Sequence, residues 1–318
     1  MGRETWEDTP IAAAARRAAK VKGPNRLSLP KPKYPRRITI ANQKGGVGKT
    51  TSTVNIASAL ARHGLKVLVV DNDPQGNAST ALSVEHRSGT PSTYEILLGE
   101  MSPEDVMRQS PESENLWVIP ATLDLAGSEI ELVNLLNRER RLRQAISDDF
   151  LIDNDFDYLI IDCPPSLGLL TLNSMTAAEE VIIPIQCEFY ALEGVTQLLN
   201  NVEMIRQHLN KRLHISAVLL TMHDSRTRLS EDVANEVRNY FGDAVLRNII
   251  PRSVKVSEAP GYGKSVIAYD PGSRGALAYL DAAKELAKRG DYTPSDTSGA
   301  IGVSPEKKRD DEPSSGDN

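Results

Sequence analysis

Two cysteines, Cys163 and Cys187, are all that 318 residues contain, and each sits in apolar sequence. That is too few for a disulfide framework, and the spacing suits no zinc site, so both read as buried thiols. Nor is there an uninterrupted apolar run of about 18 residues or more, or the hydrophobic stretch of a signal peptide. A soluble, cytoplasmic protein is the expectation. Net charge is small too, at −6, which excludes a chain that holds nucleic acid by bulk positive charge.

The small net value hides an uneven distribution. Residues 1–37 carry +7 and residues 290–318 carry −4, so the remainder carries −9. A basic extension over 1–36, a body over 37–289 and an acidic, disordered tail over 290–318 are therefore expected. Within the extension, residues 11–21 are free enough of proline and glycine for a short helix, made basic by Arg16, Arg17 and Lys20. It reads either as a disordered tail with a transient helix or as a docking segment. The partner would be DNA, a membrane surface or a protein such as a polar scaffold.

The body is organised around residues 44–51, Lys-Gly-Gly-Val-Gly-Lys-Thr-Thr. They follow an apolar run at 38–41 and open a stretch whose apolar Val54, Ile56, Ala57, Leu60 and Ala61 recur at helical spacing. Strand, glycine loop, helix makes a phosphate cradle: glycines let successive N–H groups converge, and the helix N-terminus adds partial positive charge. A nucleotide is the expected ligand, bound by Lys44, Gly45, Gly46, Val47, Gly48, Lys49, Thr50 and Thr51. Lys49 should reach the β- and γ-phosphates and the Thr50 hydroxyl should ligate Mg2+. Phosphoryl transfer spreads charge over oxygens that fixed cations must neutralise.

Where the usual P-loop has its first glycine this chain has Gln43, and Lys44 opens the loop instead. This resembles the deviant Walker A sequence of the ParA/MinD/nitrogenase-iron-protein ATPases. In that class the entry lysine crosses to the nucleotide of a second subunit. The resemblance thus implies an ATP-dependent homodimer with Lys44 acting in trans, much as an arginine finger does.

A buried parallel strand at 66–71 runs into Asp71-Asn72-Asp73-Pro74-Gln75-Gly76-Asn77. Carboxylates at such a strand end face the ligand crevice, where one can orient an attacking water while the other supports Mg2+. By similarity to the family's second motif, Asp73 is positioned for hydrolysis and Asp71 lies near the metal; Asn72 replaces the apolar residue usual between them. A strand at 158–162 ends in Asp162, a Walker B arrangement whose carboxylate holds a water on Mg2+. The Pro-Pro-Ser-Leu-Gly turn after it resembles the family's second switch. The remaining pattern gives a helix at 93–98, a strand at 116–120 and a long helix at 123–146 with a solvated charged end. Beyond these come a strand at 181–186, a helix to His208, strands at 214–220 and 244–250, and a helix at 230–240 between the last two. Such alternation implies an α/β fold: a single doubly wound, mostly parallel sheet with helices on both faces.

With the segments IPIQCEFYALEG, LLTMHDSRTRLS and IIPRSVKVSEAPGYGKSV, residues 37–289 resemble the chromosomal ParA (Soj) family. The resemblance implies a slow ATPase whose ATP-bound dimer binds double-stranded DNA without sequence preference. A ParB-type partner would stimulate hydrolysis and release, moving chromosome origins apart on the nucleoid. Arg226, Arg228, Arg252 and Lys255 would supply phosphate contacts from one edge, with solvated surface charge as the plain alternative. Pro251 and Ser253 are similar to positions flanking the adenine. A MinD-like ATPase placing a cargo on a membrane or polar scaffold is the second reading. It calls for a basic amphipathic C-terminal helix where this chain is acidic. An electron-transfer iron protein would need cluster cysteines on exposed loops, and a plasmid-type repressor an added DNA-binding domain before the P-loop.

Overall fold

Short apolar runs bounded by polar turns become the buried parallel strands of the sheet, and a two-residue exposed strand is added at one edge. They are β1 (Arg36–Ile40), β2 (Val67–Asp71), β3 (Arg108–Gln109), β4 (Leu116–Ile119), β5 (Tyr158–Asp162), β6 (Glu180–Gln186) and β7 (His214–Thr221). The computed structural model describes residues 29–192 and 194–289, so the helix expected at 11–21 and the acidic tail lie outside the described residues. The strands form one sheet in the order β3-β4-β2-β5-β1-β6-β7, parallel throughout except for the two-residue edge strand β3.

Alternate side chains feed opposite cores, as the two-residue strand period dictates. Leu68, Val70, Leu159 and Ile161 enter one cluster; Val67, Val69, Ile38, Ile40 and Ile160 enter the other. Over the second cluster lie the helices Lys49–Arg62 and Arg274–Lys288, joined where the Ser52 and Tyr279 hydroxyls meet at 3.3 Å. Helices Leu125–Leu132, Leu169–Ala177, Val195–His208 and Arg228–Phe241 bury their apolar faces in the first. Helices therefore cover both faces of a mostly parallel sheet, as expected. β1 lies between β5 and β6, and its register sets Ile40 beside Asp162, which in turn stands beside Asp71. Chain reversal around β1 opens the crevice at the C-terminal strand ends.

Two expectations are corrected. The helix read over 123–146 is broken: it stops at Leu132, and Asn137 adopts φ 54° before a 3-10 turn, Arg138–Arg140, and a new helix, Arg141–Ala145. The charged end is not simply a solvated face. Arg141 donates to the Leu97 and Leu98 carbonyls at 2.8 and 2.6 Å, closing the C-terminus of the helix Thr93–Leu98, and Arg143 pairs with Asp148 at 2.8 Å. Those carbonyls lack intrahelical partners, and a guanidinium fork supplies them at the cost of helix continuity. The strand expected at 244–250 does not form: Ala244 closes a 3-10 turn, residues 247–248 bend, and only isolated pairings, Val218 to Val245 and His223 to Pro251, join the segment to β7 and the residues after it.

Candidate nucleotide-binding site

The loop after β1 is shaped from three sides. Asn42 donates to the Pro184 carbonyl at 2.8 Å and its side-chain oxygen accepts the Lys44 N–H at 3.0 Å. From β7, the Thr221 hydroxyl donates to the Val47 carbonyl at 2.9 Å. Gly46 and Gly48 stand at φ 74° and 93°, the left-handed region that penalises any side chain. Gly48 opens the helix Lys49–Arg62 without a side-chain cap, leaving its first N–H groups to receive an anion. Lys49 is buried, its ammonium donating to the Lys44 carbonyl at 3.2 Å. Burial lowers its pKa, and Cys163, Asp162 and Asp73 oppose that fall.

The carboxylates converge from two neighbouring strands. Asp71 is fully buried and accepts from the Ser79 N–H and hydroxyl at 2.8 and 2.7 Å. Asp162 accepts from Thr53 at 3.0 Å through one oxygen, while its other, buried oxygen has no partner. Burial raises the pKa of both, most strongly for Asp162, where the Asp71 charge adds to the rise against the Thr50 and Thr53 hydroxyls. Two buried carboxylates, one with an orphaned oxygen beside a threonine hydroxyl, fit a hard divalent cation that takes oxygen ligands. Asp73 sits at the crevice mouth, 9% exposed, with its carboxylate fixed by the Gln75 N–H at 3.0 Å.

Asn72, the departure from an apolar residue, is fully buried, with its side-chain oxygen unpartnered and its amide engaged. Its amide donates to the Leu170 carbonyl and the Ser174 hydroxyl, both at 2.8 Å, tying the end of β2 to the helix that follows the 163–168 turn. Within that turn Thr171 donates to the Ser166 carbonyl at 2.5 Å. Cys163 and Cys187 are both buried, and burial pushes each thiol up to about 11, so neither is a reactive thiolate.

The Lys44 ammonium pairs with Glu188 at 3.0 Å, both side chains partly exposed. At the β7 edge, the His223–Pro251 bridge sets Arg252 beside the loop that carries Arg226, while Arg228, expected in that loop, opens the helix Arg228–Phe241. Arg226 is engaged by Asp224 at 2.7 Å and Lys255 by Glu258 at 2.9 Å, so two of the four expected DNA cations already hold an acid. Pro251 and Ser253 stand on the same segment, beyond the β7 end whose Thr221 and Met222 flank Gly48. Asn42, Thr53, Ser79, Glu188 and Thr221 were not singled out in sequence. Most act on partners distant in sequence; only Asn42, two residues before Lys44, and Thr53, one turn after Lys49, were within reach of a local pattern.

A family model described as an AAA domain matches residues 35–215. The sporulation initiation inhibitor protein Soj of Bacillus subtilis is 53% identical over 253 residues, 80% of this chain and 98% of Soj. The chain belongs to the ParA/Soj family of chromosome-partitioning ATPases. The chromosome partitioning protein ParA of Caulobacter vibrioides is 49% identical over 252 residues, covering 79% of this chain and 94% of ParA. Among solved structures, the cobyrinic acid a,c-diamide synthase of Mycobacterium smegmatis with bound ADP and magnesium matches at TM-score 0.68 and 40% identity. That match covers 78% of this ParA/Soj chain and 92% of the synthase. The Pyrococcus furiosus cell division ATPase MinD matches at 0.65 and 28% identity, covering 80% and 98%. ATP hydrolysis follows for this ParA/Soj-family chain, and no described helix is long and apolar enough to cross a membrane.

Proposed function

We propose that this ATPase is an ATP-dependent switch for chromosome-origin segregation. The ATP-bound chain closes into a sandwich homodimer that binds double-stranded DNA without sequence preference, and a ParB-type partner stimulates hydrolysis and release. The observation that carries the reading is the division of labour between two lysines. Lys49 is buried under the loop, where it meets the β- and γ-phosphates, whereas Lys44 reaches outward to an exposed carboxylate, the direction from which a second subunit approaches. Asp73, held by a backbone N–H at the crevice mouth, orients the attacking water. Thr50 would ligate Mg2+, with Asp71 and Asp162 holding its waters, and the ion would neutralise charge on the phosphate oxygens. Arg226, Arg228, Arg252 and Lys255 contact DNA phosphates from the β7 edge, and Pro251 and Ser253 flank the base.

Binding to a duplex of arbitrary sequence, with ATP, with ADP and without nucleotide, at low and moderate salt, tests this. ATP-dependent binding that weakens with salt is the expected result. Binding in no state would overturn the DNA switch and move the function toward a MinD-like factor placed on a membrane or polar scaffold. Unstimulated turnover of about 1 to 100 per second, as in a kinase, would also contradict a slow switch.

A further inference from the structure

Of the large apolar side chains that the described residues leave exposed, three of the four most exposed lie within fourteen residues of one another. They are Leu136 at 88%, Ile130 at 77% and Leu123 at 69%, and Val133 between them is 52% exposed. Turn bonds from Ala126 to Leu123 and from Gly127 to Asp124 lead into the helix Leu125–Leu132. At intervals of seven and then three residues, Leu123, Ile130 and Val133 fall on one stripe, which Leu136 prolongs. Residues 121–137 hold three acids, Asp124, Glu129 and Glu131, and no Lys or Arg. Arg138 reaches the edge of the ridge at the Val133 carbonyl and is already paired with Glu139. An apolar ridge with an acidic rim calls for an apolar, basic occupant.

The chain carries such a segment. Residues 9–28 contain five Lys/Arg and no acid. On a helix, Ile11, Ala14, Ala15, Ala18 and Val21 would share one face while Arg16, Arg17 and Lys20 share the other. Small side chains on that face suit a bulky ridge, since they let the backbone approach closely. The match to Soj takes in 98% of that protein but 80% of this chain, so about a fifth of this chain lies outside it. The described body begins at Leu29, which is buried in the core, so residues 9–28 precede it directly in the chain.

We propose that residues 9–28 dock on the ridge of Leu123, Ile130, Val133 and Leu136 in their own chain. The site matters for the ATPase because Glu129, on the same helix, accepts the Leu170 N–H at 3.4 Å, at the start of the helix that follows the 163–168 turn. A docked segment therefore covers the helix that braces this turn. The proposal does not rest on the DNA reading, and its failure leaves the nucleotide site as described.

Trypsin cleavage after Arg16 and Arg17 in the full chain provides the first test, with Ile130→Glu/Leu136→Glu as the comparison. Both positions are exposed, so the fold tolerates the charges. Cleavage at least about tenfold faster in the double variant is expected, because two apolar contacts are lost. Equal rates would overturn the proposal. Carbodiimide cross-linking of the unmodified chain should join Lys20 or Lys22 to Asp124, Glu129 or Glu131, and this arm needs no variant. Links confined to other acids would overturn it. So would protection that rises with protein concentration, which assigns the ridge to a second copy, or protection that appears only with duplex DNA.

Discussion

Charges are buried at both ends of the sheet, and they are treated in opposite ways. At the N-terminal ends of the strands, Arg36 forms a two-pronged pair with Glu180 at 2.7 and 2.6 Å and also donates to the Leu286 carbonyl. Burial works against the Arg36 charge, yet its bonds and attraction to Glu180 hold its pKa above the usual value, and Glu180 is held below its own. Arg37, 1% exposed, spends its guanidinium on the Ala177 and Ile146 carbonyls and on Asp148; there burial wins, and its pKa falls to about 10. At the C-terminal ends, Asp71 and Asp162 stand side by side, burial raises the pKa of both, and one Asp162 oxygen has no partner. Charge that is satisfied within the chain holds the fold; charge left unsatisfied is kept for a ligand.

Removing the ligand-facing charges should have the largest effect. Lys49→Ala is expected to reduce ATP turnover by about a thousandfold or more, as loss of a phosphate-stabilising group does, measured as phosphate release with Mg2+. Asp73→Ala should lose turnover on a similar scale while still dimerising with ATP, whereas Lys44→Ala should lose dimerisation and DNA binding. An Asp73→Ala chain that stayed monomeric with ATP would reverse those two roles.

Next in size is the structural end. Arg36→Met alone strands a buried carboxylate and should cost about 3 to 5 kcal/mol in denaturant unfolding, while Arg36→Met with Glu180→Leu should recover most of it. If the single variant unfolded no more easily than the native chain, the two ends would not differ as argued.

The pH dependence is smaller. Asp71 and Asp162 have folded-state pKa values raised above those of the unfolded chain, so the native state holds extra protons between the two. Their contribution is fully present below about pH 4 and is lost as pH rises through the folded values. Nucleotide-free protein should therefore lose stability as pH rises over that range. Asp162→Asn should flatten the curve; an unchanged slope in thermal melts would remove the argument that these carboxylates are strained. Smallest should be the structural effect of the exposed Arg226–Asp224 pair. Arg226→Ala should leave the melting temperature within about 2 °C, yet lower the salt slope of DNA binding by about 1.

How far the site could be read in advance depended on separation along the chain. The glycine loop and the aspartates that close β2 and β5 are local patterns, and they were legible with the strands that carry them. The charge run near Arg141 was legible as charge but not as structure, because its partners at Leu97 and Leu98 lie more than forty residues earlier. The segment at 244–250 has strand composition, but it bends and pairs with β7 only at isolated points.

By itself the sequence determined the ATPase motif set and the alternation that builds a doubly wound sheet. Glycine conformations, strand periodicity and strand-terminal carboxylates all act within a few residues. Tertiary structure alone decided that Asp71 and Asp162 share one buried space and that Asn72 ties β2 to the helix after the 163–168 turn. It also decided that Lys44 rests on Glu188 and that Arg252 stands beside the 222–227 loop. Register and burial set those relations, and both arise only when strands distant in sequence pair side by side.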